Sequence, residues 1–287
     1  MLAGIELGGT KSIAVLAMDD GAITEHHVIP TTTPDESLAT LSTLLGGWDY
    51  DALGIASFGP IDLDLTSPTF GSILSTPKPN WNDVNLKQLV VGDKRYRIDT
   101  DVNGAALAEG LWGDAQHLRN WAYITVGTGI GVGTIIDRKP LTGIGHSEAG
   151  HMRVPIPVHW TTGHCPYHGG CAEGLISGPA LAARVGIAAD QIPSNDPIWD
   201  DVSAVLAALC HNLVLTTLPD RIFIGGGVGG RPGLAENVNG LLHASLSSYG
   251  LTDRLFRPGH PLVGPSALKN LAGPQGAIAL ARYAMRQ

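Results

Sequence analysis

The chain has 287 residues, of which 15% are charged, and its formal net charge at pH 7 is −8. This length accommodates one large domain or two medium domains, each with a buried core. The negative charge argues against nucleic acid or an anionic membrane as a partner.

Two further features of the sequence bear on the cellular compartment of the protein. Its three cysteines are too few, and odd in number, for a disulfide framework, so we expect a protein of the reducing cytoplasm. The N-terminus "MLAGIELGGTK" lacks the pattern of a signal peptide, and no run of 18 apolar residues predicts a membrane span.

The first part of the chain predicts an α/β domain that opens with consecutive strands. The strand "LAGIELGG" is followed by two strands around the turn Asp19-Asp20-Gly21. A helix is predicted from Thr33-Pro34-Asp35 to Gly46-Gly47. Two strands follow, "DALGIAS" and "RYRIDTD", and then a helix that begins at about Asp101 and ends at Gly113.

The second part repeats the opening in outline, after a polar stretch at about 114–120 that predicts a domain junction. "WAYITVGTGIGVGTIID" predicts two strands around a glycine turn, and residues from about 138 to 172 predict a long loop. Helices are predicted over "AEGLISGPALAARVG", "IWDDVSAVLAALCHNLVLTTLP", "PGLAENVNGLLHASLSSYG" and "GPQGAIALARYAMRQ", and "DRIFIGGGVGG" predicts a strand entering a glycine loop.

Two glycine turns indicate phosphate binding. In "ELGGTK", Thr10 and Lys11 offer a hydroxyl and a cation beside glycines that let the backbone approach a ligand. "TVGTGIGVG" presents a second such turn, and two turns in two similar halves predict a clamp around one polyphosphate. The P-loop pattern is absent from the sequence.

A third glycine motif allows two interpretations. Gly225, Gly227 and Gly230 fit the G-x-G-x-x-G fingerprint of dinucleotide-binding proteins. The hairpin-like start of the chain argues against an NAD-dependent dehydrogenase. A glycine loop that admits the face of an adenine is therefore preferred.

Two aspartates compete for the role of general base. Asp101 lies where a strand meets a helix, so its carboxylate either caps the helix or faces a ligand at the end of the strand. Asp99 lies on the same side of the strand, because side chains alternate along it. This argument does not separate the two.

A cysteine- and histidine-rich segment predicts a metal site. Cys165, His168 and Cys171 form C-x2-H-x2-C, a donor set that suits Zn²⁺. Four histidines remain open as the further ligand: His146, His151, His159 and His164. Four protein ligands would make the site structural, whereas three ligands and a water would make it catalytic.

The order of these motifs resembles that of the ROK-family sugar kinases. "IELGGTK", "ASFGPID", "TPKPNW", "DTDVNGAALAEGLWG", "YITVGTGIGVG", "HSEAGH", "CPYHGGCAEGLISGPA" and "IGGGV" are most similar to the motifs of its bacterial zinc-containing fructokinases. The resemblance implies the actin-like, ribonuclease-H-like ATPase fold of two α/β domains, with the sugar in the interdomain cleft and ATP alongside. The domains implied are 1–115, completed by the helix 274–287, and 116–273, with a zinc loop at 146–173.

The resemblance also implies roles for individual residues. Asp101 matches the general base. The positions matched to sugar binding are Gly59, Pro60, Thr76, Trp81, Thr100, Glu148 and Glu173. The positions matched to ATP binding are Gly8, Gly9, Thr10, Lys11, Thr128, Gly129, Pro179, Gly225, Gly226, Gly227 and Val228. The positions matched to a structural zinc are His151, Cys165, His168 and Cys171.

The function implied is transfer of the γ-phosphoryl group of ATP to D-fructose, with Mg²⁺ on the phosphates and Glu6 holding it through water. Glu6 stands where many members of the family have Asp, whereas Thr100 and His168 favour the fructokinase side. Mannose and glucose remain alternative substrates, and a homodimer is expected. A sugar-sensing repressor is disfavoured, because its DNA-binding segment precedes the first strand, which here begins at about residue 2.

Overall fold

The computed structural model describes residues 1–257 and 259–286, which form two compact units. The first unit comprises Met1–Gln116, Lys139–Ser147 and Asn270–Gln287. The second comprises His117–Arg138 and Glu148–Lys269. The C-terminal segment therefore belongs to the same unit as the N-terminus.

Each unit is built on one sheet. The strands are β1 (Leu2–Leu7), β2 (Lys11–Ala17), β3 (Ile23–Pro30), β4 (Ala52–Ser57), β5 (Arg95–Thr100), β6 (Trp121–Val126), β7 (Ile130–Ile136), β8 (Lys139–Pro140), β9 (Arg221–Gly225) and β10 (Val263–Pro265). The helices are α1 (Pro34–Gly46), α2 (Asp101–Trp112), α3 (Ala172–Ile176), α4 (Gly178–Val185), α5 (Ile198–Thr217), α6 (Gly226–Gly229), α7 (Leu234–Leu246), α8 (Thr252–Leu255) and α9 (Ala272–Ala284). Short 3₁₀ turns lie at Leu86–Leu89, Ala149–His151, Ala189–Gln191 and Lys269–Leu271.

The first sheet has the strand order β3-β2-β1-β4-β5. β1 pairs antiparallel with β2 and parallel with β4, and β5 pairs parallel with β4. α9 packs closely on this sheet, because Gly54 has no side chain: a Cβ there would lie 1.9 Å from the carbonyl oxygen of Ala277. Because β1, β4 and β5 run parallel, their carboxyl ends lie at the same edge of the sheet.

Helix boundaries in the first unit follow capping chemistry. Thr33 caps α1 by accepting a hydrogen bond from the Glu36 amide, and Pro34 occupies the first turn. Thr100 caps α2 through the Asn103 amide. The helices predicted to begin after Thr33 and at about Asp101 are confirmed.

The second sheet has the order β10-β9-β6-β7-β8. β6 pairs antiparallel with β7 and parallel with β9, and β10 is parallel to β9. This is the arrangement of the first sheet, an antiparallel hairpin followed by parallel strands on its other side. The repeat predicted from the two glycine hairpins is confirmed.

Two details of the predicted elements are wrong. The single helix expected over "AEGLISGPALAARVG" is two helices, because Ser177 adopts an extended conformation with ψ 158° and its side chain caps α4. The expected glycine loop after β9 instead continues as the short helix α6.

One helix of the described chain, α5, is long and apolar enough to cross a membrane by length and composition alone. Its apolar stretch is 61% buried within the structure, and residues such as Val202, Leu206 and Leu213 belong to the core of the second unit. Burial in this core therefore explains why α5 is apolar.

Candidate active site and metal cluster

The β1–β2 turn is the first candidate phosphate-binding element. The Gly8 amide donates to the Lys11 carbonyl at 3.1 Å, which closes a tight turn. Gly9, Thr10 and Lys11 are exposed at its tip. The turn therefore presents main-chain and side-chain donors to solvent.

Asp101 and Asp99 occupy different environments. Asp101 is the first residue of α2 and is partly exposed, whereas Asp99 is 3% exposed. The Asp99 carboxylate accepts from the amide of Thr100 at 2.8 Å and from the side-chain amide of Asn103 at 2.7 Å. Burial raises the pKa of Asp99, although Asn103 and Arg97 oppose the shift. These contacts give Asp99 a structural role and leave Asp101 as the accessible carboxylate.

Glu6, the penultimate residue of β1, is a second carboxylate near Asp101. Desolvation by burial, and then the charge of Asp101, raise the pKa of Glu6 to about 7, while Lys11 opposes the shift. The start of α9 adjoins this carboxylate: a Cβ on Gly273 would lie 2.1 Å from Glu6 Oε1.

The surroundings of Glu6 fit a magnesium ion. Glu6 Oε2 is buried, and no hydrogen-bond partner for it exists among residues 1–257 and 259–286. Carboxylate oxygens are the ligands that Mg²⁺ prefers, and a divalent cation would offset the repulsion between Glu6 and Asp101.

The residues matched to sugar binding in the first unit divide into two groups. Gly59 and Pro60, which are joined by a cis peptide bond, follow β4 and are partly exposed. Thr76 and Thr100 are 8% and 3% exposed, and Thr100 is engaged as a helix cap. Trp81 is fully buried, and its indole N–H donates to the Thr32 carbonyl at 3.0 Å. The structure thus gives Trp81 a packing role and does not bring its side chain to the surface.

His151, Cys165, His168 and Cys171 come together in the second unit, with one ligand atom of each within 4.8 Å of all the others. His151 Nδ1 lies 3.6 Å from Cys165 Sγ, 3.5 Å from Cys171 Sγ and 3.2 Å from His168 Nδ1. Cys165 Sγ lies 3.7 Å from His168 Nδ1.

These separations fit a tetrahedral zinc ion. Zn–S bonds of about 2.3 Å and Zn–N bonds of about 2.0–2.1 Å imply N···S edges of about 3.6 Å and an N···N edge of about 3.3 Å. Burial is the main cause that raises the pKa of the Cys171 thiol to about 11. A cation is therefore needed to keep this thiol ionised near neutral pH.

The other histidines considered as ligands lie elsewhere. His146 Nε2 accepts from the Ile61 amide at 3.0 Å, within the first unit. His159 pairs with Asp201 at 2.8 Å. His164 is exposed, and its amide donates to the Gly174 carbonyl. Of the four candidates, only His151 joins the cysteine motif.

The two glutamates matched to sugar binding flank this cluster. Glu148 directly precedes the 3₁₀ turn Ala149–His151 and is exposed, and its carbonyl accepts from the His151 amide at 2.9 Å. Glu173 lies in α3, two residues after Cys171, and its Oε1 is 3.8 Å from His151 Nε2. A metal held by the cluster would therefore fix the backbone that carries both glutamates.

The glycine elements of the second unit meet around the β6–β7 turn. Gly127 accepts from the amide of Gly178, the residue before Pro179, at 2.7 Å. A Cβ on Gly127 would lie 3.9 Å from the Gly227 amide. The exposed members of this group are Thr128, Pro179, Gly226 and Gly227. Gly225 and Val228 are buried, and Val228 packs into the core.

Two residues of the candidate site were not predicted from the sequence. Gly273 adjoins Glu6, and Lys78 donates to main-chain carbonyls beside the β1–β2 turn. The lysine inside "TPKPNW" was a signal that could have drawn attention to the second of these residues.

Comparisons with known proteins agree with this organisation. A fructokinase of Pediococcus pentosaceus is 35% identical over 100% of this chain and 99% of its own length. A fructokinase of Lactococcus lactis subsp. cremoris is 39% identical over 85% of each chain.

A crystal structure of a ROK family glucokinase from Streptomyces griseus, in complex with glucose and AMPPNP, superposes with a TM-score of 0.78 at 25% identity. The superposition covers 98% of this chain and 99% of that one. The expected actin-like α/β fold is thus confirmed. The model of the ROK family matches residues 2–284, and the chain belongs to this family.

Proposed function

We propose that this ROK-family sugar kinase transfers the γ-phosphoryl group of ATP to the 6-hydroxyl of D-fructose. The observation that carries the proposal is the parallel order of β1, β4 and β5, which places the Gly8–Lys11 turn after β1 and Asp101 after β5 at the same end of the sheet. A candidate base and a candidate phosphate turn therefore share one edge of the first sheet. This edge is where α/β proteins bind ligands.

In this mechanism Asp101 accepts the proton of the attacking hydroxyl. Phosphoryl transfer passes through a loose transition state, so positioning and offset of charge contribute most of the catalysis. Lys11 and the turn amides bind phosphate oxygens, which allows a chain of net charge −8 to hold an anionic nucleotide. Glu6 would hold a magnesium ion through water, and such an ion would supply further charge neutralisation to the bound ATP. In the second unit, Thr128 and Gly129 are the candidate phosphate contacts, and the group around Gly226, Gly227 and Pro179 is the candidate adenosine site.

The sugar is held by the two glutamates beside the metal cluster. Glu148 and Glu173 offer carboxylates that accept hydrogen bonds from sugar hydroxyls. His151, Cys165, His168 and Cys171 would supply four protein ligands to a zinc ion, which would order the loop and leave no open position for chemistry.

Fructose is proposed over other hexoses because relatives at 35–39% identity, matched over most of this chain, are named fructokinases. The Streptomyces griseus glucokinase, which binds glucose, is more distant at 25% identity. We further propose a cytoplasmic homodimer. Sedimentation velocity on the purified protein tests the dimer.

A coupled assay over a panel of hexoses tests the activity. With purified protein, Mg²⁺ and ATP, we expect the highest kcat/KM for D-fructose and fructose 6-phosphate as the product. A higher kcat/KM for mannose or glucose would reject the fructose assignment alone. If correctly folded, zinc-loaded protein phosphorylates no hexose, the assignment as a hexose kinase is rejected.

A further inference from the structure

The side chain of Lys78 reaches the main chain of the β1–β2 turn. Its ammonium group donates to the Gly9 carbonyl at 2.6 Å and to the Thr31 carbonyl at 3.2 Å. These acceptors lie 69 and 47 positions away in the sequence. The contact therefore joins the segment Thr76–Trp81 to the turn within the first unit.

The base from which Lys78 extends is itself fixed. Trp81 is buried and donates to the Thr32 carbonyl, and its ring meets Phe58 edge-on with the ring centroids 5.5 Å apart. The Thr76 amide donates to the side-chain oxygen of Asn82 at 2.9 Å. Lys78 therefore acts on the turn from an ordered segment.

Side chains hold two successive carbonyls of the turn. Thr31 Oγ1 donates to the Gly8 carbonyl at 2.8 Å, and Lys78 holds the Gly9 carbonyl. In a planar trans peptide the N–H points opposite to the C=O. Holding these carbonyls therefore directs the amides of Gly9 and Thr10 away from Thr31 and Lys78. Neither amide has an acceptor within the described part of the chain.

The charge of Lys78 strengthens this arrangement. An ammonium group has three donors, and two of them are used on carbonyls. In residues 1–257 and 259–286, Lys78 forms no ion pair with a carboxylate. Its charge polarises the Gly9 carbonyl, which makes the Thr10 N–H a stronger donor in the same peptide unit. An anionic oxygen is the preferred acceptor for such a donor.

We propose that Lys78 is a positioning residue for nucleotide binding, which acts through the Gly9 carbonyl to aim the Thr10 amide at a phosphate oxygen. The inference rests on the proposed function, in which this turn binds ATP. It assigns the "TPKPNW" segment a role on the phosphate side in addition to the sugar side.

Calorimetric titration of the full chain with AMPPNP and Mg²⁺ tests the proposal without relying on turnover. We expect Lys78→Met to raise the Kd of AMPPNP about 10-fold or more, the range for a lost hydrogen bond that involves a charged group. The KM for ATP should rise similarly, while the KM for fructose stays within about 2-fold. Lys78→Arg, which keeps charged donors, should restore most of the affinity. Lys87→Met is the control, because Lys87 is exposed in the same unit.

Hydrogen exchange of the nucleotide-free protein gives a second readout. In Lys78→Met, exchange should rise at the amides of Gly8 and Thr31, which donate to the Lys11 and Thr10 carbonyls of the turn, and remain as in the wild type at residues 2–7 and 12–17. If Lys78→Met does not fold, Lys78→Gln, which keeps two N–H donors without the charge, takes its place in both measurements.

The outcomes separate two failures. Wild-type protein that binds no AMPPNP overturns both the proposed function and this inference. Wild-type protein that binds AMPPNP, together with a folded variant whose Kd is within about 2-fold, overturns the role of Lys78 alone. Equal losses of nucleotide and sugar affinity also overturn it, because they indicate a general structural effect.

Discussion

Glu173 joins His151 to the β6–β7 turn. Its Oε1 lies 3.8 Å from His151 Nε2, and its Oε2 accepts from the Ile130 amide at 3.0 Å. Since His151 Nδ1 lies beside Cys165 Sγ and Cys171 Sγ, one imidazole connects the candidate metal site to a carboxylate. Carboxylates behind metal-binding histidines orient the imidazole ring. Metal loss should therefore disturb Glu173 as well as the loop.

The first prediction concerns zinc content. His168→Ala and Cys171→Ser should lose the zinc ion, about one per chain, that a closed four-ligand site binds. His164→Ala should keep it, because His164 lies outside the cluster. Atomic absorption on dialysed proteins measures the difference. A His168→Ala protein that retained one tightly bound zinc would contradict the ligand set.

Removal of zinc from the wild type should also raise the KM for fructose more than the KM for ATP. The reason is that both Glu148 and Glu173 lie on backbone attached to the cluster. Re-addition of Zn²⁺ is the control for irreversible damage. Unchanged sugar affinity in fully stripped, folded protein would separate the metal from substrate binding.

The second prediction concerns Gly273. Gly273→Ala places a Cβ where Glu6 Oε1 lies 2.1 Å away, so the carboxylate or the start of α9 must shift. We expect destabilisation of about 1–3 kcal/mol, typical of overpacking, and a fall in kcat.

Gly240→Ala is the matched control for Gly273→Ala. It lies inside α7, with no atom within 4 Å of the added Cβ, and should stabilise the protein by about 0.5–1 kcal/mol. Urea unfolding and steady-state kinetics measure both effects. Equal behaviour of the two variants would contradict the crowding of Glu6.

The third prediction concerns pH. The pKa of Glu6 rises from 4.5 to about 7 in the folded protein, chiefly through desolvation, so the folded state retains a proton that the unfolded state has lost. The contribution of Glu6 to stability is thus full below about pH 4.5 and declines as the pH rises to about 7. The loss is at most about 3 kcal/mol.

Glu6→Gln removes this dependence. In protein free of nucleotide and Mg²⁺, the variant should match the wild type near pH 4 and exceed its free energy of unfolding at pH 8. Urea titrations at the two pH values give the comparison. A constant difference between the proteins would show that Glu6 does not titrate in this range.

Local chemistry explains which parts of the site were predictable. The turn Gly8–Lys11 and the start of α2 follow from glycines, caps and strand ends that are close in sequence. Lys78 and Gly273 were missed because their contacts join residues far apart in the chain. Strand alternation could not separate Asp99 from Asp101. Burial separates them, because it depends on the packing of α2.

The final prediction tests that separation. Asp101→Asn keeps an oxygen that can accept from the Val102 amide, as Asp101 does at 2.9 Å, so its stability should stay near that of the wild type. Its kcat should fall about 10²–10⁴-fold, the usual cost of removing a general base. Asp99→Asn should behave in the opposite way. It weakens the buried hydrogen bonds that Asp99 accepts from Thr100 and Asn103, which costs about 1–3 kcal/mol of stability. Its kcat should stay within a few-fold of the wild type. Thermal unfolding and the coupled assay, applied to both variants, give the two effects. If kcat is lost in Asp99→Asn and kept in Asp101→Asn, the two roles are reversed and the buried Asp99 carboxylate is the general base.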